Sequence, residues 1–353
     1  MMNAAWDLTK KVLHRQGWKQ NTVFSPYGVQ QGLDILKTNT TDAAMIQDLS
    51  PYSISVQEQL QNTRSGALSL LLSKKPMSGN WNDAGVQCFT DPQEATICKN
   101  DFQQRILDEV LDAKELTHKD DDGLNLFIGT KFEAKWLQPF DKDNTCDQDF
   151  YLSPQEKIHV ETMSDTFSAI PMVQTDAYEG AALPGEKGAT VYFIKPKQQN
   201  YDDVLKHLPN IIEAMKPGQV EFYMPKLRTD TKTDLLDMLK EFRSLNIPWK
   251  ENYRAQRIPF LIPQDGLFFL DRLRVLPFSL GKAYQIAMLD INEERAVAKA
   301  LTRFCILPAM LGCALAPVPI IRMDSPYFVV IKDQTADHQE RIVFTAWIAD
   351  PRA

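Results

Sequence analysis

The sequence predicts an α+β fold, built as one interwoven domain over residues 1–353. Strand-like runs crowd into the later part of the chain and do not alternate evenly with helices, which argues against a doubly wound parallel sheet. No Gly- or Ser-rich linker and no internal repeat divides the chain. A composition of 44% hydrophobic and 24% charged residues excludes disorder and is enough for a large core.

Residues 4–15 read as a helix, with Trp6, Leu8, Val12 and Leu13 on its apolar face. The stretch TVFSPYGV, residues 22–29, opens as a short strand that ends at Ser25-Pro26. A second helix starts near Tyr27, with Val29, Leu33 and Leu36 on one side. Residues 58–73 carry an apolar face ending in ALSLLL. Strand-like runs follow at 86–90, 123–132, 189–196, 219–227, 283–291, 327–333 and 341–350, with helices at 201–215 and 231–243.

A net charge of −7 gives no bulk attraction for nucleic acid, and doublets such as Lys10-Lys11 and Lys74-Lys75 read as solvated surface. The five cysteines, Cys88, Cys98, Cys146, Cys305 and Cys313, lack zinc-type spacing, and the five histidines are scattered. The expectation is free thiols, no metal and no cofactor. The N-terminus lacks an apolar signal core, so the chain is expected to be cytoplasmic, or secreted without a cleaved signal peptide. Residues 304–321 are uncharged, but Pro308, Pro317 and Pro319 interrupt them. That favours an apolar extended loop, buried or meeting a partner, over a membrane span. The acidic run HKDDDG, residues 118–123, lacks the later glycine and glutamate of a calcium loop. There is no GxGxxG, P-loop or GxSxG, so the chain is not expected to be an enzyme.

The most informative stretch is NEERAVAKALTRFCILPAMLGC, Asn292 to Cys313. Glu293 and Glu294 open it, and Ala296, Ala298, Ala300 and Thr302 then recur at every second position. In a strand those four share one face, while Arg295, Val297, Lys299, Leu301 and Arg303 take the other. The same stretch also fits an amphipathic helix, with Val297, Ala300, Leu301 and Phe304 on one side.

Six blocks in order give this sequence a resemblance to the serpins, the serine protease inhibitor family. NTVFSPYGV (21–29) resembles that family's strand-to-helix entry, and KFEAKWLQPFD (131–141) the end of its central strand at Trp136. IPMVQT (170–175) is similar to the start of a later strand pair, and VEFYMPKLRTDTKTDLLDMLKEF (220–242) to a strand, Pro-Lys and helix unit. MLDINEERAVAKA (288–300) resembles the hinge, and RMDSPYFVVIKDQTADHQERIVFTAWIADP (322–351) the C-terminal hairpin. The resemblance implies one large mixed sheet, two smaller sheets, surrounding helices and a reactive loop over about residues 293–321. It implies a metastable native state and inhibition of a protease as a suicide substrate: the loop is cut, the protease is held as an acyl-enzyme, and the loop inserts as an extra strand. Small side chains at Ala296, Ala298, Ala300 and Thr302 suit such insertion, since an unpaired charge among them would be costly to bury.

The sequence also departs from the family pattern. Arg295 stands where inhibitory members carry a glycine, which frees the backbone to swing. Of the polar cluster below the insertion point Ser25 remains, while the other positions become Gly28, Ile128 and Gln285. The segment 99–123 leaves little room for the helix that crosses the sheet face. Spacing from the hinge puts the scissile bond at Ala309–Met310, and spacing back from Pro326 puts it at Leu315–Ala316. Those residues suit an elastase-like or chymotrypsin-like target protease. The rival reading is a non-inhibitory serpin-fold protein that binds a cellular or host partner through the apolar loop or another surface.

Overall fold

The protein is described from a computed structural model, over residues 2–38, 43–55, 57–72, 86–111, 114–117, 125–239, 241–242, 284–296 and 318–352. The chain runs α1 (Met2–Gln16), β1 (Thr22–Phe24), α2 (Pro26–Thr38), α3 (Ala43–Leu49), β2 (Thr63–Leu72), β3 (Val86–Phe89), α4 (Pro92–Leu107), β4 (Asn125–Phe132) and β5 (Ala134–Lys135). It continues through β6 (Cys146–Ser153), β7 (Glu156–Gln174), β8 (Tyr178–Pro184), β9 (Thr190–Pro196), α5 (Tyr201–Ala214), β10 (Lys216–Pro225) and β11 (Leu227–Asp234). It ends with α6 (Leu236–Leu239), β12 (Tyr284–Ile291), β13 (Arg295–Ala296), β14 (Ile320–Arg322), β15 (Tyr327–Gln334) and β16 (Glu340–Ile348). The class is α+β, with one large mixed sheet and smaller sheets. No helix among the described residues is long and apolar enough to cross a membrane. Two compact units form, one from Met1–Val12, Ser25–Phe132 and Lys232–Ile286, the other from Leu13–Phe24, Glu133–Thr231 and Ala287–Ala353.

In the first unit, α2 starts where the sequence says it must. Ser25 Oγ accepts from Gly28 N at 3.1 Å, and Pro26 sits at the first helical position, where no N–H is needed. The apolar run at 58–73 is strand β2, at the centre of a three-stranded sheet. It pairs parallel with β3 and antiparallel with β4. Leu68, Leu70 and Leu72 fall on its buried face, so the period of two decides the conformation of a segment whose leucines also suit a helix.

Helix α4 corrects the expectation that this region is too short for a helix over the sheet. The helix begins earlier, at Pro92, with the Asp91 side chain accepting from Gln93 N at 2.9 Å. It ends at Asp108, whose left-handed φ of 64° lets its N–H reach Gln104 O. Its apolar side meets Leu68, Leu70 and Leu72 through Ala95, Phe102 and Ile106. Close seating needs two glycines opposite each other in register, Gly66 on β2 and Gly129 on β4. A Cβ at Gly66 would stand 2.9 Å from Ile106 Cδ1, and one at Gly129 2.8 Å from Ile106 Cγ2.

The predicted helix over 231–243 is shorter than expected. Residues to Asp234 belong to strand β11, and the helix that follows is Leu236–Leu239. Thr229 and Thr233 are buried on one side of that strand, where β-branched side chains fit the pleat. β11 pairs with β12 as a separate two-stranded sheet.

The second unit holds a nine-stranded sheet in the order β1-β16-β15-β9-β8-β7-β10-β14, with β6 also on β7. It is mixed, because β14 joins β10 in parallel among antiparallel pairs. The 19-residue β7 serves three partners along its length: β6, then β10, then β8. β15 and β16 read as near-continuous apolar runs because almost every side chain in them is buried. Trp347 is fully buried between Trp18, Tyr201 and Phe328, with ring centroids 4.7–5.1 Å away. The Asn21 side chain pins the start of β1 to the C-terminal end, accepting from Ala349 N and Asp350 N and donating to Asp350 O.

Gly129→Ala is expected to cost about 1–3 kcal/mol by crowding Ile106. Thermal melting of Gly129→Ala, Ile106→Ala and the double variant checks this: the double variant should be more stable than the sum of the two predicts. Simple additivity would mean that α4 does not rest on Gly129.

Candidate functional site

The residues predicted as the hinge lie in the second unit, where the chain leaves β12. Glu293 is 6% exposed, so its carboxylate must be paired. Glu293 Oε1 accepts from Lys226 Nζ at 2.9 Å and from Thr145 Oγ1 at 2.9 Å. Lys226 follows β10, and Thr145 ends a short 3-10 turn over Lys142–Asn144. Burial by itself would push the Glu293 carboxyl up. The hydrogen bonds from Lys226 and Thr145 outweigh it and hold the group below its ordinary 4.5. The same pairing holds the Lys226 ammonium above its ordinary 10.5. Beside it, Lys142 Nζ bonds Glu294 Oε1, which raises the lysine.

The backbone of the hinge is held as tightly. Phe140 N donates to Glu293 O at 2.9 Å and Trp136 N to Glu294 O at 3.3 Å. The buried Trp136 indole donates from Nε1 to Asn292 O at 2.9 Å. The Asn292 side chain accepts from Glu294 N at 3.1 Å. Beyond these contacts the chain turns into β13, where Arg295 pairs with Lys135 and Ala296 with Ala134, antiparallel. The first two residues after the glutamates are therefore extended and laddered onto β5.

The first unit gathers the other predicted residues around Gly28. Gln285 Oε1 accepts from Ser25 N at 2.6 Å, and Gln285 Nε2 donates to Ser25 O at 3.1 Å. One side-chain amide thus satisfies both backbone groups of Ser25. A Cβ at Gly28 would stand 2.7 Å from Thr130 Oγ1, which is buried and makes no hydrogen bond. Ile128 Cγ1 lies 3.5 Å from the Cβ position of Gly32, one helical turn on. The expectation that the polar network is mostly lost needs amending, because Gln285 makes a two-point clamp in its place.

Trp136 was grouped in the sequence with Ser25, Gly28, Ile128 and Gln285, but its contacts are with the hinge. Ala298, Ala300, Thr302, Ala309, Met310, Leu315 and Ala316 lie outside the described residues, as do Cys305 and Cys313. Sequence reasoning did not single out Lys226, Thr145, Lys142 or Asn292. The Pro225-Lys226 pair was visible as a motif, but nothing local says that its ammonium meets a carboxylate far along the chain.

A family profile described as serpin (serine protease inhibitor) matches residues 89–351, most of the chain. The chain belongs to the serpin family. Alaserpin of Manduca sexta is 27% identical over 212 residues, covering 57% of this chain and 49% of that relative. Antichymotrypsin-2 of Bombyx mori is 26% identical over 215 residues, covering 57% of this chain and 52% of the relative. These matches span about half the length of the curated relatives. Human thyroxine-binding globulin, solved with its hormone, superposes with a TM-score of 0.69 at 17% identity, covering 99% of this chain and 97% of that one. That likeness shows the serpin fold.

Lys226→Met leaves the Glu293 carboxylate without its cation. The expected loss is about 2 kcal/mol near neutral pH, less than for a fully buried pair because Lys226 keeps a third of its surface in water. The folded-state pKa of Glu293 is depressed, so the pair contributes fully above its ordinary 4.5 and loses its contribution as pH falls through the lower folded value. Melting curves of wild type and Lys226→Met between pH 7 and pH 3 should therefore converge on acidification. A constant gap would exclude the pair as its source.

Proposed function

We propose that this serpin inhibits a serine protease as a suicide substrate, through cleavage of the loop after Glu294 and its insertion as a strand. The observation that carries this reading is β13. Arg295 and Ala296 are already paired antiparallel to β5, so the loop starts out in the conformation that insertion would extend. In the sequence, Ala296, Ala298, Ala300 and Thr302 stand at alternate positions, so an extension of that strand would place small side chains along one face. Insertion would then lengthen a ladder that β13 has already begun. The chain is proposed to have no catalytic turnover of its own: it would supply a scissile bond and a metastable sheet, with no cofactor.

Ala309–Met310 or Leu315–Ala316 is the proposed bond, and an elastase-like or chymotrypsin-like protease the proposed target. The small or unbranched apolar side chains there suit shallow or apolar specificity pockets. The name of the Bombyx mori relative, antichymotrypsin-2, supports the chymotrypsin-like choice.

A second reading, a non-inhibitory partner-binding serpin, rests on Arg295. An arginine restricts the backbone where glycine would let it swing. Thyroxine-binding globulin, alike in fold, is by its name a binding protein.

Incubation with chymotrypsin and with pancreatic elastase separates the two. The inhibitor reading expects an SDS-stable complex with one of them, and a melting temperature that rises by tens of degrees after cleavage between residues 303 and 316. Cleavage without complex and without a rise would exclude insertion and leave the binding reading. Arg295→Gly is expected to raise the fraction of encounters that end in complex, read as a lower stoichiometry of inhibition. No change would show that Arg295 does not limit the swing.

A further inference from the structure

The second unit also contains an open cavity of about 440 Å³ over the face of β6, β7 and β10. The chain leaving β14 lines one side of it. Met323 N bonds Tyr223 O at 2.9 Å, and Tyr151 N bonds Asp324 O at 2.8 Å. Phe150 and Met323, both buried, give it an apolar wall together with Pro225. Its volume falls in the range that encloses a small organic molecule.

The charges in the wall are mostly spoken for. Asp149 pairs with Lys157 at 2.7 Å and with His159 at 3.1 Å. Asp324 pairs with Lys195 at 2.6 Å. Glu221, two residues before Tyr223 on β10, accepts from the Tyr223 hydroxyl. Asp147 is exposed, so solvent screens it. Arg322 is different. Its guanidinium lies 3.5 Å from the centroid of the Tyr223 ring; its polar side-chain contacts are the neutral Tyr223 hydroxyl and a long one, 3.4 Å to Gln148 Oε1. No carboxylate forms an ion pair with it among the described residues.

Such a guanidinium is pre-organised. Stacking on Tyr223 fixes its plane, and the backbone on either side is held by the Arg322 N to Glu179 contact and the Met323 N to Tyr223 bond. A fixed planar fork whose side-chain partners are neutral matches a carboxylate in two-point geometry. The apolar wall matches a hydrocarbon or aromatic body attached to it. We propose that this cavity binds a small organic carboxylate with an apolar body, its acid group on Arg322 and its body against Phe150, Pro225 and Met323. This proposal does not depend on protease inhibition.

The probes are 3-phenylpropionate and its neutral amide, followed by saturation-transfer NMR and calorimetry on the full chain. The acid is expected to bind at millimolar concentration or below, and the amide at least about tenfold more weakly, as the loss of a charge-assisted hydrogen-bonded pair predicts. Arg322→Gln should weaken the acid by a similar factor and leave the amide unchanged. Asp147→Lys, at an exposed position, should tighten the acid about two- to fivefold, which keeps the test independent of whether Arg322→Gln folds. No acid binding at millimolar concentration would overturn the proposal. So would equal binding of acid and amide, or acid affinity indifferent to both substitutions.

Discussion

The fold around the loop depends on a buried carboxylate. Glu293 has almost no water, so its charge survives only while Lys226 and Thr145 stay in place. Those two partners arrive from different parts of the chain, one after β10 and the other from the turn before β6. A single charge therefore ties together three segments that share no local sequence. The Trp136 indole adds a fourth, because its N–H holds the carbonyl of Asn292 just ahead of the glutamates. The point at which the loop departs is consequently among the more tightly specified positions in the unit, although the loop itself starts in a two-residue ladder.

How legible this was in the sequence depended on the range of the interaction. The α1 face of Trp6, Leu8, Val12 and Leu13 and the Ser25-Pro26 start of α2 follow from spacing and capping, which are local. The C-terminal pair β15 and β16 was readable as two apolar runs. Helix α4 was harder: its sequence, PQEATICKNDFQQRIL, is weakly amphipathic and mostly polar. What makes it sit on the sheet is a pair of glycines on two strands, a fact of register that no window of sequence contains. Strands β6 to β8 were largely missed because their exposed faces carry many charges, and alternation there is interrupted where β7 changes partners.

The candidate site divides in the same way. The glutamates, the alternating small residues and Trp136 were found because motif and spacing mark them. Lys226 and Thr145 were not, since their importance comes from where the chain returns. Gln285 was read as a loss, a departure from a polar cluster. In the folded protein its amide caps both polar groups of one backbone residue, an economical way to satisfy Ser25 at a buried corner.

The close approach of Thr130 to Gly28 makes one position answer to the other. The space a side chain at position 28 would occupy is already filled by the threonine hydroxyl. A first-turn residue of α2 is therefore chosen by a residue of β4, and any side chain at position 28 requires that hydroxyl to give way. The helix start and the strand are two halves of one packing decision, although some hundred residues separate them in the chain.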